Sequence, residues 1–160
     1  DGHYSDYVRE NAGFEIDDSG YFTDPEGNIL GKHKGIINYT VGQRKGLGIA
    51  LGYPAYVSSI DAVTKEVVIG DENSVLKQMI ICDRVNYVSI PSLPINERIR
   101  VNTKIRYRHN GAPSFVEALD EEHIKIIFEE AVKAPAPGQS AVLYDEEDRV
   151  IGGGRIIETK

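Results

Sequence analysis

Two short segments of this sequence concentrate positively charged side chains in a chain that is acidic as a whole. The first, residues 31–46, contains no acidic residue, and the second, residues 98–109, contains none either. The cations of the first segment are Lys32, Lys34, Arg44 and Lys45. Those of the second are Arg98, Arg100, Lys104, Arg106 and Arg108. Clustered cations of this kind bind anions, and guanidinium groups bind phosphate with paired donors.

The second basic segment also carries aromatic side chains. Because alternate residues of a strand point to the same side, Lys104, Arg106 and Arg108 are expected on one face. Tyr107 is then expected on the opposite face, with His109 at the strand end. An aromatic ring can stack on an unpaired base, so this combination is typical of RNA-binding surfaces. Protein-binding surfaces are also rich in arginine and tyrosine, so a β-barrel protein-interaction module is the alternative.

The first basic segment includes a glycine-rich loop, Gly-Gln-Arg-Lys-Gly-Leu-Gly, at residues 42–48. It is similar to a phosphate-binding loop, but Leu51 stands where a dinucleotide-binding fingerprint needs its third glycine, and no helix pattern follows. A nucleotide-binding fold is therefore excluded. The loop either approaches a partner closely or is an ordinary flexible hairpin. The three glycines at 152–154 favour a bulge or a barrel corner.

The remaining reactive side chains do not form a catalytic or metal-binding pattern. The four histidines are far apart and lack the spacing of metal ligands. The acidic clusters at 17–18, 120–122 and 145–148 lie in predicted turns, where carboxylates favour turn geometry. The single cysteine, Cys82, lies in an apolar strand and is predicted to be buried and inert. A lone cysteine cannot form an internal disulfide, which favours a reducing compartment.

Length and composition limit the class of protein. A chain of 160 residues with 41% hydrophobic residues can form one ordinary domain or two small ones. The formal net charge of −7 excludes a generally cationic binder. No apolar stretch is long enough for a membrane-spanning helix or a signal peptide, so we expect a soluble, cytoplasmic protein without a membrane partner. The chain begins with Asp1, which suggests a piece of a longer protein.

Short β-rich segments separated by turn residues predict a mainly β fold. One short helix is expected from about His3 to Asn11. Strands are predicted at 14–16, 21–23, 28–30, 55–60, 66–69, 79–88, 98–108, 114–119, 123–128, 140–144 and 150–158. The segment from Tyr53 suits a meander, and residues 73–78 are expected to form a connector. A boundary near Lys77 separates a small β domain, residues 1–77, from a small antiparallel barrel or sandwich, residues 78–160.

Five motifs in fixed order resemble those of one enzyme family. They are Gly-Lys-His-Lys-Gly at 31–35, Tyr-Thr-Val-Gly-Gln-Arg-Lys-Gly-Leu-Gly-Ile at 39–49, Lys-Ile-Arg-Tyr-Arg at 104–108, Ala-Pro-Gly-Gln-Ser-Ala-Val-Leu-Tyr at 136–144, and Gly-Gly-Gly at 152–154. Together they resemble the tRNA-specific 2-thiouridylase (MnmA) family, over essentially the whole chain. The resemblance implies a small central β domain followed by a C-terminal antiparallel β-barrel similar to the second domain of translation elongation factors.

The resemblance also implies a reaction carried out by the longer enzyme. There, an N-terminal PP-loop domain uses ATP and magnesium to adenylate the C2 carbonyl of the anticodon wobble uridine. A cysteine persulfide, loaded by a sulfur-relay protein, then delivers sulfur. Since neither that domain nor the two catalytic cysteines match this sequence, the fragment is expected to hold no cofactor, to be inactive alone and to position the anticodon arm of tRNA.

Site residues follow from the resemblance where its motifs match. Arg106 and Tyr107 match an arginine–tyrosine pair that contacts tRNA, and Gln139 matches a contacting glutamine. Lys104 and Arg108 are expected to extend that site. A second set is expected to face either the tRNA or the catalytic domain; it comprises Lys32, Lys34, Gln43, Arg44 and Lys45.

Overall fold

The computed structural model describes residues 19–95, 97–107 and 109–160. They fold mainly as β-strands and belong to two compact units that divide between Val75 and Leu76. The helix predicted from His3 to Asn11, the strand predicted at 14–16 and the side chain of Arg108 lie outside the described residues. None of the helices within the described ranges is long and apolar enough to cross a membrane.

The first unit contains a four-stranded sheet and two short 3₁₀ helices. The strands are β1 (Gly20–Thr23), β2 (Ile29–His33), β3 (Tyr56–Asp61) and β4 (Glu66–Gly70), and the helices span Ile36–Asn38 and Asn73–Val75. The sheet order is β2-β1-β4-β3. Strands β3 and β4 form the expected antiparallel pair, but β4 also pairs in parallel with β1. A meander does not predict that pairing, which becomes possible because the long connection after β2 carries the chain to the far edge of the sheet.

Buried side chains from the strands and from the glycine-rich loop form the core of this unit. Phe22, Val67 and Ile69 pack with Leu47, which comes from the loop and is buried. His33 is also buried: its Nδ1 accepts from the backbone N–H of Gly35 at 3.1 Å, and its Nε2 lies 3.0 Å from the carbonyl oxygen of Lys65. This places the proton on Nε2, so His33 serves as a structural residue.

The second unit is a closed six-stranded barrel. Its strands are β5 (Leu76–Tyr87), β6 (Arg98–Lys104), β7 (Ala112–Ala118), β8 (Ile124–Lys133), β9 (Ser140–Tyr144) and β10 (Val150–Thr159). The order around the barrel is β10-β5-β8-β7-β6-β9, and all six pairings are antiparallel. The barrel closes because β10 pairs with both β5 and β9. The predicted mainly β fold with a C-terminal antiparallel barrel is confirmed.

Alternation along the strands fills the barrel interior. In β8, Ile124, Ile126 and Phe128 are buried, whereas Lys125 between them is only partly covered. Cys82 in β5 is 0% exposed, as predicted. Burial, followed by the negative charge of Asp83, raises the pKa of its thiol to about 12, so the thiolate does not form near neutral pH.

The three glycines of β10 let the barrel close tightly. A Cβ atom added to Gly154 would lie 2.7 Å from the carbonyl oxygen of Asp83, and one added to Gly152 or Gly153 would lie still closer to neighbouring backbone, at 2.5 and 2.3 Å. The pairing register also shifts on both sides of this segment. The prediction of a bulge at 152–154 is confirmed, and its cause is the approach of neighbouring strands.

Several strand boundaries differ from those predicted. Strand β6 ends at Lys104 instead of Arg108, because the chain turns so that the N–H of His109 donates to the carbonyl oxygen of Arg106 at 3.0 Å. Residues 76–78 belong to β5 and not to a connector, since Leu76 and Lys77 pair with Lys133 and Val132. For the same reason β8 extends beyond Phe128.

Candidate nucleic-acid interface

One end of the barrel gathers most residues of the second basic segment that were predicted to bind tRNA. Strand β9 pairs with the end of β6, which sets Val142 opposite Lys104. The loop before β9 adds Gln139, and the turn after β6 adds Arg106 and Tyr107. These elements enclose a depression of about 540 Å³. Its lining residues are Lys104, Ile105, Arg106, Tyr107, Gln139, Ser140, Val142 and Tyr144.

Lys104 lines this depression and is partly buried. Its ammonium nitrogen lies 4.8 Å from the centroid of the Tyr144 ring, which is cation–π geometry. Among the described residues, Lys104 has no carboxylate partner. Its charge is therefore held in place by an aromatic face and stays available to an anion.

Arg106 and Tyr107 lie in the turn and not on a strand. The prediction that they occupy opposite faces is wrong, because both line the same depression. The guanidinium of Arg106 donates to the carbonyl oxygen of Lys133, which anchors one nitrogen, and the side chain has no acidic partner in the described ranges. Tyr107 is 102% exposed, so its ring contributes nothing to the barrel core.

Gln139 is positioned by backbone hydrogen bonds to β10. Its carbonyl oxygen accepts from the N–H of Ile156 at 2.7 Å, and the N–H of the preceding Gly138 donates back to Ile156 at 2.8 Å. The side-chain oxygen of Gln139 is buried and lacks a hydrogen-bond partner among the described residues. An unsatisfied buried acceptor costs free energy, and a donor from a ligand or from water would remove that cost.

His109 closes the turn, and the neighbouring positive charges affect the pKa of its imidazole. Burial, and then the positive charge of Arg106, lower the pKa of its imidazole from the ordinary value of 6.5. A hydrogen bond with the backbone of Thr103 opposes that shift, and Lys104 adds to it. The ring is therefore neutral near pH 7, and its buried Nδ1 has no partner in the described part of the chain.

The beginning of β6 has a different electrostatic environment. Arg98 contacts Glu117 at 3.1 Å, and Arg100 contacts Glu129 at 2.8 Å. Lys125 also pairs with Glu117. Hydrogen bonds from Lys125 and then Arg98 lower the pKa of Glu117, and a hydrogen bond from Arg100 lowers that of Glu129. These two arginines are thus neutralised by carboxylates of the same barrel.

The other predicted set lies in the first unit and is not gathered into one site. Lys32 lies 5.7 Å from the ring centroid of Tyr21, and Arg44 lies 5.9 Å from that of Tyr56. Lys34 and Lys45 are exposed. Of the five predicted residues, Arg44 lines the depression formed by the glycine-rich loop.

Gln43 has a structural role in that loop. Its side-chain oxygen accepts from the N–H of Thr40, and its side-chain nitrogen donates to the carbonyl oxygen of Lys45, both at 3.0 Å. Both ends of the amide are therefore occupied inside the loop. Together with buried Leu47, these bonds give the loop a defined shape.

Sequence reasoning missed four residues that line the depression on the barrel, and two of them, Ser140 and Tyr144, carry polar groups. Tyr144 supports the ammonium of Lys104, and Ser140 lies beside Gln139 in the lining. The available signal was the alternation in β9, where Ala141 and Leu143 are buried and the residues between them face outward. That alternation becomes informative only once β9 is known to neighbour β6.

Family models match both units. One described as "tRNA methyl transferase PRC-barrel domain" matches residues 6–71, and one described as "Aminomethyltransferase beta-barrel domain" matches residues 77–156. The second match covers the barrel strands that carry the depression.

Curated relatives match nearly the entire chain. A protein of Acetivibrio thermocellus named tRNA-specific 2-thiouridylase MnmA is 48% identical over 156 residues, covering 98% of this chain and 42% of the relative. One of the same name from Clostridioides difficile is 46% identical over 158 residues, covering 99% and 42%. A third, from Clostridium tetani, is 43% identical over 159 residues. The chain thus spans well under half the length of these relatives.

Proposed function

Because the chain belongs to the tRNA-specific 2-thiouridylase family, we propose that its barrel binds tRNA and positions the anticodon arm for thiolation of the wobble uridine by the longer enzyme. The observation that carries this proposal is the depression at the end of β6. It joins Lys104, Arg106, Tyr107 and Gln139, and no acidic residue lines it.

Local charge favours a polyanion at this place in spite of the acidic sequence. The chain carries 25 acidic and 18 basic residues, so its net charge disfavours general binding to RNA. An acid-free depression with two cations is then the point to which a phosphate backbone is drawn. Binding confined to such a point discourages nonspecific adhesion of RNA and fixes the orientation of the bound molecule.

Each side chain of the depression suits a different part of an RNA strand. The guanidinium of Arg106 has N–H groups beyond the one held by Lys133, and these can donate to phosphate oxygens. The exposed ring of Tyr107 can stack on an unpaired base. The side-chain amide of Gln139, which has both a donor and an acceptor, could bond to a ribose hydroxyl or a base edge once its side chain turns outward.

The sulfur chemistry of the proposed reaction would rely on groups supplied by the rest of the longer enzyme. Cys82 is the single cysteine of this sequence, and its thiol is buried with a pKa of about 12. It therefore does not suit the persulfide carrier. ATP, magnesium and a sulfur-relay protein would act at a PP-loop domain of the longer enzyme, and this chain would contribute to substrate positioning.

The proposal is tested by measuring tRNA affinity as a function of salt, with a fluorescently labelled transcript containing a wobble uridine. Log affinity should fall linearly with log salt, with a slope of roughly −0.7 to −0.9 per phosphate contacted. Arg106→Ala should weaken binding by about 1 to 3 kcal/mol, the range of a charge-assisted contact. The matched control is Arg98→Ala, which removes the same charge from a residue already paired with Glu117 and should leave affinity nearly unchanged.

Two results would count against tRNA binding at this site. Measurable binding with a flat salt profile would favour the protein-interaction module instead, because counterion release would then be absent. If Arg106→Ala and the unaltered chain bound tRNA with equal affinity, the depression would not be part of the tRNA interface. In either case the exposed Tyr107 would be better explained as an anchor for a protein partner.

A further inference from the structure

A second depression on the barrel lies beside the first and shares part of its wall. It has a volume of about 500 Å³, and Ser140 and Val142 line both depressions. Its other walls come from β5 and from the bulged segment of β10. The two depressions therefore form one continuous surface across the outer side of β9.

Arg84 provides the free charge of the second depression. Its side chain is exposed, and no ion pair connects it to an acid in the described ranges. The adjacent Asp83 is held by Arg155 through two hydrogen bonds, of 3.0 and 2.6 Å. Hydrogen bonding to Arg155 lowers the pKa of Asp83, and the positive charges of Arg155 and Arg84 lower it further. The Asp83 carboxylate is therefore engaged by Arg155, and no hydrogen bond in the described ranges ties it to Arg84.

A β-bulge in β5 directs Arg84 outward. Gly153 pairs with Asn86 and Arg155 pairs with Asp83, so two steps along β10 correspond to three along β5. Arg84 lies within this bulge, and its φ of 49° is in the left-handed region. Bulges of this kind re-aim a side chain, and here the neighbouring Val85 packs against the core while Arg84 faces solvent.

Charge separates this continuous surface from the rest of the barrel. No acidic residue lines either of its two depressions, although acids outnumber bases in the sequence. A third depression, beside Arg100, is lined by Asp145, Glu146 and Asp148. The acid-free surface thus runs from Tyr107 past Ser140 to Arg84.

We infer that the depression at Arg84 binds a further stretch of the RNA backbone, so that the strand held at Arg106 continues across β9. This inference rests on the proposed function, because it extends the same interface. Arg84 would donate to a phosphate, and Ser140, between the two depressions, would offer its hydroxyl to the backbone. Residues 152–154 line this depression without side chains, which leaves room for the RNA strand.

The test compares variants of Arg84 in the same tRNA titration. Arg84→Gly suits the positive φ, and Arg84→Asn tolerates it, so at least one variant should retain the fold, as checked by thermal unfolding. Each should weaken tRNA binding by about tenfold at moderate salt and reduce the magnitude of the salt slope by about 1. The control is Arg149→Ala, since Arg149 carries the same charge but pairs with Asp145 at 2.7 Å and Glu147 at 2.9 Å.

The outcomes separate the inference from the proposed function. If both Arg84 variants bind tRNA like the unaltered chain while Arg106→Ala binds weakly, the RNA does not cross β9, and the inference is overturned with the proposed function intact. If Arg84 and Arg106 variants all bind normally, both fail. An equal loss in Arg149→Ala would show that net charge matters and not this depression, which would also overturn the inference.

Discussion

The two ends of strand β6 carry similar residues in opposite electrostatic environments. At its beginning, Arg98 and Arg100 face Glu117 and Glu129 across the barrel surface. At its end, Lys104 faces an aromatic ring, and Arg106 in the following turn is held by a backbone carbonyl. A count of basic residues treats both ends alike, but only the second offers uncompensated charge.

The difference arises from cross-strand register. Arg98 lies directly opposite Glu117 in β7, so the pairing follows from the antiparallel alignment of β6 and β7. Past Lys104 the chain leaves the sheet, and the neighbouring outward-facing residues of β9 are Val142 and Tyr144. Arg100 lies opposite Phe115 in β7 and instead reaches past it to Glu129 in β8. Cations are therefore neutralised where a nearby strand places a carboxylate within reach, and they stay free where none does. Local register, more than net charge, decides which basic residues can bind an anion.

Charge reversal at the two ends should produce the largest contrast. Arg106→Glu should weaken tRNA binding by about 3 kcal/mol, because it sets a carboxylate against the RNA backbone. Arg98→Glu should instead place a carboxylate beside Glu117 and reduce the free energy of unfolding, with a much smaller effect on affinity. Affinity is measured by titration and stability by urea denaturation.

If Arg106→Glu and Arg98→Glu weakened tRNA binding equally, the two ends of β6 would not differ in their ability to bind an anion. Such a result would mean that tRNA responds to the overall charge of the barrel, since both substitutions change the net charge equally. A charge-neutral pair, Arg106→Gln and Arg98→Gln, repeats the test without introducing repulsion.

Much of the fold could be predicted from the sequence because its strands show local signals. Turn residues on either side marked β7 and β8 as short β-rich segments, and the acidic turn between them was placed at Asp120 to Glu122. In the structure, Asp120 accepts from the N–H groups of Glu122 and His123, both at 2.8 Å, which is the expected role of a turn aspartate. Features set by adjacent residues were thus accessible without a structure.

Features that depend on distant residues were not accessible. The parallel pairing of β1 with β4 and the pairing of β10 with β5 join segments far apart in sequence. The end of β6 was misplaced because alternation continues into the turn, where Arg106 and Tyr107 leave the sheet. The candidate site could therefore be assembled by residue type, but the neutralised and the free arginines could not be distinguished.

Removing the ion pair between Arg100 and Glu129 should have a smaller effect than charge reversal, and the effect should be confined to stability. Arg100→Ala should slightly reduce the free energy of unfolding at neutral pH, as for an exposed ion pair, and leave tRNA affinity unchanged. Arg100 lowers the folded pKa of Glu129 below its ordinary value of 4.5. The contribution of the pair is therefore present above pH 4.5 and is lost as the pH falls through the lowered value. Urea denaturation at neutral and acidic pH measures it.

A double-mutant cycle identifies the source of that effect. Glu129→Gln should cost about as much as Arg100→Ala, and the double variant should cost little more than either alone. Additive losses would show that the two side chains contribute independently, and the beginning of β6 would then no longer count as neutralised.

The smallest expected effect reports on the other end of β6, through the titration of His109. Its pKa lies below 6.5 because of burial and of the charge on Arg106, so the unfolded chain binds the proton more readily and stability falls as the pH drops below 6.5. Arg106→Ala should raise this pKa part of the way back, with burial holding it below the ordinary value, whereas Arg98→Ala should not move it. The imidazole resonances followed by NMR across this pH range measure both shifts.

Bound tRNA should raise the pKa of His109 as Arg106→Ala does, because a phosphate near Arg106 offsets the positive charge that disfavours protonation. If the pKa of His109 were the same in Arg106→Ala as in the unaltered chain, the charge of Arg106 would already be neutralised, like the charges of the arginines at the beginning of β6.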